Sequence, residues 1–239
     1  MNIKFSIITV CYNASATIRE TIASVLNQTY QELEYIVVDG KSNDGTIEIL
    51  QGFDDTRMTF VSEKDSGIFN AMNKGLKMAS GDYLIFLGAD DTFFDKDVLK
   101  KVANKLTADN DVVYGDVLLK TRQRLYNGPF SRWTWGHRNI SHQSIFYPKS
   151  IYRRYQYNEK YRSVADWDYN LRLLTDGIKF TYIGETICIF NDEDGLSSNS
   201  KDEEFLKVRR ELVCKAVGFL PYCWGILQRA KRRLLNEKY

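Results

Sequence analysis

The sequence predicts an α/β protein, a mostly parallel central sheet flanked by helices, with a helical extension at its C-terminal end. Apolar, β-rich runs alternate with segments of helical period, the pattern of successive βαβ units with right-handed crossovers. Three of these runs end in polar, mostly acidic groups: Thr9 to Asn13, Asp39, and Asp90 with Asp91. The chain has 239 residues, 44% of them hydrophobic, which is enough for one well-buried domain.

The first strand is expected over residues 5–10 (FSIITV), ending at the turn-forming Cys11, Tyr12 and Asn13. From Ser15, a candidate N-cap, Ile18, Ile22, Val25 and Leu26 fall on one helical face. Residues 34–39 (EYIVVD) read as a second buried strand, closed by Gly40 and the turn chemistry of Ser42, Asn43, Asp44 and Gly45. A helix then opens with Ile47, Ile49 and Leu50, and residues 58–62 form a third strand. The polar loop from Glu63 to Gly67 leads into a helix carrying Ile68, Met72 and Leu76 and ending at Gly81. Residues 83–87 (YLIFL) are apolar enough for a strand buried on both faces, and Gly88 closes it ahead of Asp90 and Asp91.

A strand in the middle of a sheet is rigid, and ligands of open α/β sheets bind outside the carboxyl ends of the strands. Paired carboxylates at such an end, with no His or Cys cluster beside them, suit a hard divalent ion shared with a phosphate-bearing substrate. They equally suit a turn, with Asp91 capping the segment that follows and Asp90 facing water.

Charge and composition narrow the function classes. The net charge of +2 argues against bulk nucleic-acid binding, and ten Lys or Arg against five Asp or Glu from residue 201 onward make the C-terminal segment the basic part. Four cysteines without CxxC spacing fit a reducing compartment. No run approaches the ~20 apolar residues of a membrane span, and the start lacks a leader pattern. The expectation is a cytoplasmic protein. Beyond a polar loop over 194–200, Phe205, Val208, Leu212 and Ala216 keep helical spacing, Pro221 is expected to interrupt, and Ile226, Leu227, Ala230 and Leu234 resume it beside Arg229, Lys231, Arg232 and Arg233. Such a helix can lie on an anionic bilayer or pack on the domain with a solvated basic face.

The words SIITVCYNA at 6–14, SVLNQTYQELEYIVVDGKSNDGT at 24–46, SEKDSGIFNAMNKGLKMASGDYLIFLGADD at 62–91 and ADWDYNLRL at 165–173 occur in this order. Together they resemble the inverting nucleotide-sugar glycosyltransferases of family 2, in the branch that builds bacterial surface polysaccharides. The resemblance covers about residues 3 to 195. It implies a GT-A (Rossmann-like) catalytic domain over 1–200, followed by the basic amphipathic segment over 201–239. It also implies a nucleotide-sugar donor, uridine diphosphate-linked; a glycan acceptor, soluble, protein-borne or carried on a polyprenyl diphosphate; and Mn2+ or Mg2+ as cofactor. No nucleic acid is implied, and residues 220–239 would make peripheral contact with the inner face of the plasma membrane.

By the same resemblance Asp91 would hold the metal and Asp90 the metal or the ribose. Gly88 stands where stricter members carry the first acid of the motif. Thr9, Tyr12, Asp39 and Asp65 match donor-nucleotide contacts, although Thr9 also reads as an ordinary strand residue. Asp166 matches the general base, with Asp168 as runner-up, although acids also favour the first turn of a helix. His142 would stand near the acceptor and the departing phosphate, and Trp133 and Trp135 offer rings to a sugar. For both histidines a hydrogen bond to a backbone carbonyl is the alternative.

Overall fold

The computed structural model describes residues 3–107, 111–193 and 202–234, the side chains of Arg232 and Arg233 excepted. The loop expected over 194–200 lies outside the described residues. Strand β1 (Phe5–Cys11) leads through α1 (Ile18–Leu26) to β2 (Leu33–Asp39), and α2 (Thr46–Gln51) leads to β3 (Met58–Ser62). Helix α3 (Ile68–Met78) returns to β4 (Tyr83–Phe86). A short β5 (Thr92–Phe93) and α4 (Val98–Lys105) precede β6 (Val112–Leu119) and β7 (Arg124–Tyr126). Then come α5 (Arg132–Trp135), a 3₁₀ turn (His142–Ser144), β8 (Ile145–Pro148), α6 (Lys149–Tyr152), α7 (Ala165–Thr175) and β9 (Phe180–Phe190). Two helices close the described chain, α8 (Glu203–Val217) and α9 (Phe219–Leu234).

These strands form one sheet in the order β3-β2-β1-β4-β8-β6-β9-β5, with β7 paired to β6. The pairings β3/β2, β2/β1, β1/β4 and β6/β9 are parallel, while β8 runs against both β4 and β6, β5 against β9 and β7 against β6. Six strands (β1, β2, β3, β4, β6, β9) therefore share one direction. The mostly parallel sheet expected from the sequence is present, and its reversed strands lie in the half that the alternating pattern did not reach.

The period of two in β1 and β2 divides the core. Phe5, Ile7, Tyr35 and Val37 face α1 and α4, where Ile18, Ile22, Val25, Val98, Leu99 and Val102 meet them. Ile8, Ile36 and Val38 face the opposite layer, with Phe69, Met72 and Leu76 of α3 and Tyr169 and Leu173 of α7. Phe205 and Val213 of α8 are buried in that second layer too. Two local expectations are corrected. Helix α1 begins after Thr17, its first turn closed on the Ala14 carbonyl, so Ser15 is not its cap. Pro221 does not interrupt the C-terminal helices: Gly218, at φ 95°, makes the break, and Pro221 sits in the first turn of α9, where a missing N–H costs nothing.

Candidate active site

Because β1, β2 and β4 are parallel neighbours, their C-terminal ends open on one edge, and Cys11 and Asp39 are in register there. Beyond this edge Tyr12 is exposed, Gly40 lies against its ring, and the Asp65 carboxylate crowds the space that a Cβ on Gly40 would occupy. Tyr12, Gly40 and Asp65 thus line one shelf.

Asp39 occupies the strand end but points inward. It is fully buried, and both oxygens are engaged: Oδ2 accepts from the Ser42 N–H at 3.0 Å and the Ser62 hydroxyl at 2.6 Å, Oδ1 from the Ser42 hydroxyl and the Cys11 thiol. Burial pushes its pKa up, but the Ser42 and Ser62 hydrogen bonds outweigh burial and leave it below the usual carboxylate range. In this conformation Asp39 fixes the 40–42 loop and offers no open acceptor to a base. Thr9 is corrected outright. It is fully buried within β1 and its hydroxyl accepts from Tyr35 at 3.0 Å, because the strand's alternation turns it toward Tyr35 and away from the edge.

The acidic pair follows β4. Asp90 is exposed, whereas Asp91 is 1% exposed and held from two sides. The Thr21 hydroxyl of α1 donates to its carbonyl at 2.8 Å, and the Asn191 N–H donates to Oδ1 at 2.8 Å. The Asn191 side chain in turn reaches Asp90 Oδ2 at 3.1 Å. Asn191 escaped the sequence reading. It arrives because β5 pairs antiparallel with β9, which brings the end of a distant strand onto the acidic turn. Asp91 Oδ2 is buried with no hydrogen-bond partner among the described residues. Its carboxyl is pushed up to about 7 by burial and by Asp90, against the opposing influence of the Asn191 N–H, His142 and Gln143. A Cβ on Gly88 would collide with that same Oδ2, so the glycine in place of an acid is what gives Asp91 its room.

Across the crevice stands the start of α7. Asp166 Oδ1 accepts from the Trp167 N–H at 2.8 Å and Oδ2 from the Asn139 side chain at 3.0 Å, with His142 Nδ1 at 3.7 Å from Oδ2. His142 therefore lies beside Asp166, and its neighbour Gln143 lies beside Asp91, so the 3₁₀ turn stands between the two acidic centres. Asp168, the runner-up base, is 3% exposed and bound to Arg172 at 2.8 Å, which commits it to structure. His137 Nδ1 meets the Trp133 carbonyl at 3.0 Å, the structural alternative. Trp135 is buried in the core and presents no ring to a sugar, while Trp133 is exposed beside Trp224 of α9.

An acidic pair and a separate half-buried carboxylate, facing one crevice at the carboxyl edge of a parallel sheet, suit transfer of a group from a phosphate leaving group to a hydroxyl. Residues 6–172 match the model of the family described as glycosyl transferase family 2. The chain belongs to that family. As a family 2 glycosyltransferase it is 36% identical over 212 residues to a PGL/p-HBAD biosynthesis glycosyltransferase of Mycobacterium tuberculosis, covering 85% of this chain and 82% of the relative. It is 44% identical over 99 residues to the putative teichuronic acid biosynthesis glycosyltransferase TuaG of Bacillus subtilis, covering 40% of this chain and 39% of TuaG. Among solved structures the fold matches residues 1–349 of S. aureus TarS in complex with UDP-GlcNAc, with a TM-score of 0.73 and 21% identity over 89% of this chain and 66% of that one. It also matches the mannosyltransferase PcManGT of Pyrobaculum calidifontis in complex with GDP-Man and Mn2+, with a TM-score of 0.67 and 15% identity over 97% of this chain and 75% of that one. The GT-A-like fold expected of the chain is the fold observed.

Proposed function

We propose that this glycosyltransferase moves a sugar, with inversion at the anomeric carbon, from a uridine diphosphate-linked donor to a hydroxyl of a glycan carried on a polyprenyl diphosphate. One observation carries the reading: Asp91, buried and short of a partner on Oδ2, and Asp166, half-buried and in its own hydrogen-bond frame, flank the 3₁₀ turn that sets His142 beside Asp166 and Gln143 beside Asp91. The UDP-GlcNAc held by TarS supports the donor class, and the teichuronic acid biosynthesis in the name of the Bacillus relative supports a glycan as acceptor.

The residues present fit a divalent ion. No group of three His, Cys, Asp or Glu converges among the described residues, but a partly hydrated ion shared with substrate phosphates needs only one or two carboxylates, and Asp91 has a buried oxygen to give. Asp91 and Asp90 would hold Mn2+ or Mg2+, which would supply Lewis-acid neutralisation of the leaving diphosphate. Tyr12 and Asp65 hold the nucleoside on the shelf beside Gly40, and Asp39 keeps that shelf in shape. Asp166 takes the proton of the acceptor hydroxyl as its oxygen forms the new bond to the anomeric carbon. The bond from that carbon to the diphosphate oxygen breaks on the opposite face, and the nucleoside diphosphate departs beside His142.

The acceptor side is served by α9. Pro221 and Gly225 press its inner face onto Gly136, and Arg229 donates to the Gly136 carbonyl at 3.3 Å. Phe219, Leu220, Trp224, Ile226, Leu227 and Leu234 are left exposed. Residues 219–234 carry four basic residues (Arg229, Lys231, Arg232, Arg233) and no acid. An apolar outer face on a segment of such basic sequence fits the interface of an anionic bilayer, where a polyprenyl-linked acceptor resides. Among the described residues no helix is long and apolar enough to cross a membrane.

Calorimetric titration of nucleoside diphosphates and nucleotide sugars, with and without Mn2+, on wild type and Asp91→Ala tests the core of this reading. Mn2+-dependent binding of uridine diphosphate that disappears in Asp91→Ala is the expected result. Nucleotide binding indifferent to Mn2+ and to the substitution overturns it.

A further inference from the structure

Behind Asp166 runs a row of polar groups with one direction. Tyr147 of β8, 1% exposed, donates its hydroxyl to Asn170 Oδ1 at 2.8 Å. Asn170, fully buried one helical turn after Asp166 on the same face of α7, donates its side-chain N–H to Asn139 Oδ1 at 2.9 Å. Asn139 then donates to Asp166 Oδ2 at 3.0 Å, while its own carbonyl accepts from Tyr126 at 3.2 Å. Each amide uses its oxygen toward the core and its nitrogen toward the crevice. The carboxylate end sets that order, since an ionised carboxylate only accepts, and the Tyr147 phenol, kept protonated by burial, supplies the donor at the other end.

We propose that Asn139 and Asn170 are positioning residues for Asp166: the oriented chain from Tyr147 delivers an N–H to Oδ2 and, together with the Trp167 N–H on Oδ1, fixes the plane in which the carboxylate meets the acceptor's hydroxyl. This rests on Asp166 being the base, as proposed above. Held by the Trp167 N–H alone, the carboxylate could swing about that one contact, and a small misplacement of a catalytic group costs rate steeply. The titratable or charged groups about Asp166 are His142 on the 3₁₀ turn, Asp168 and Arg172 on α7, and the buried phenols Tyr147 and Tyr157. Asp168 and Arg172 neutralise each other.

The test measures UDP release from UDP-N-acetylglucosamine with Mn2+ and water as acceptor, across pH, alongside the side-chain amide signals of the full chain in 15N–1H spectra. Asn139→Ala and Asn170→Ala should lower kcat roughly ten- to a hundredfold with the donor KM unchanged. Asn139→Asp, which sets a second carboxylate against Asp166, should move the acid limb of the profile to higher pH. The Asn139 side-chain signal should be slow to exchange with water and should shift in Asp166→Asn and in Tyr147→Phe. Inactive Asp166→Asn beside alanine variants of wild-type kcat and profile overturns the positioning role and leaves the base intact. Full turnover in Asp166→Asn removes the base and the positioning role with it. Where neither protein releases UDP, an Asn139 amide that exchanges like a free one and ignores Tyr147→Phe overturns the oriented chain.

Discussion

Asp91 carries a cost in the apoprotein that can be read from the pH dependence of stability. Its carboxyl is raised to about 7 in the fold, above the ~3.9 of an unfolded aspartate, so the folded state holds its proton more tightly. That contribution is full below about pH 4 and is lost as pH rises through about 7. With metal chelated, Asp91→Asn should therefore raise Tm relative to wild type at pH 8 and leave little difference at pH 4, by thermal unfolding at both pH values. Added Mn2+ should raise the Tm of wild type at pH 8 and leave that of the variant unchanged. Thr9 asks the converse question. Thr9→Val strands the buried Tyr35 hydroxyl and should cost about 1–3 kcal/mol in denaturant unfolding, with nucleotide affinity as in wild type. A weaker nucleotide Kd would restore Thr9 to the site.

Among the elements, the N-terminal edge of the parallel half-sheet hangs on one carboxylate. Glu34 of β2 accepts from Lys4 and Ser6 beside β1 and from Ser80 and Gly81 ahead of β4, at 2.5–3.1 Å. Burial alone would raise its pKa, but the Lys4, Ser6 and Ser80 hydrogen bonds hold it at about 2. The stabilisation is present above about pH 4.5 and is lost as pH falls through about 2. Wild type should thus lose roughly 3 kcal/mol more than Glu34→Gln between pH 6 and 2. The contact of α5 with α9 is made backbone against backbone. A Cβ at Gly225 would enter the Gly136 backbone, so Gly225→Ala should destabilise the docked helix by about 1–3 kcal/mol, seen as faster limited proteolysis of the C-terminal segment. Loss of binding to anionic vesicles in Leu220→Glu/Leu227→Glu, with nucleotide binding retained, would support the outward face as a bilayer contact. Unchanged vesicle binding would refute it.

At the level of the whole molecule, what the sequence made legible follows local periodicity. Residues 5–87 announce their strands and helices because each run is long, apolar and bounded by turn chemistry, and three acidic or polar strand ends follow from the βαβ order alone. The second half-sheet is built from β8 threaded backwards between β4 and β6 and from a two-residue β5, and such reversed and minimal strands leave no period to read. Asn191, Asn139 and Asn170 are invisible for the related reason that their partners lie 13 to 101 residues away. Direction of side chains was the other hidden quantity: Asp39 and Thr9 stand where their words place them, yet both turn inward. One consequence follows from the seam between the halves. Strand β4 meets β8 through only Tyr83/Pro148 and Leu84/Tyr147, and the chain then crosses to plant Asp91 under Asn191 in the far half. A fragment ending near residue 95, although it contains most of the recognisable words, would expose the whole flank of β4 as an open edge. Such a fragment should run as aggregates in size-exclusion chromatography, and it should recover a defined size only when the remaining segment is co-expressed to close the seam.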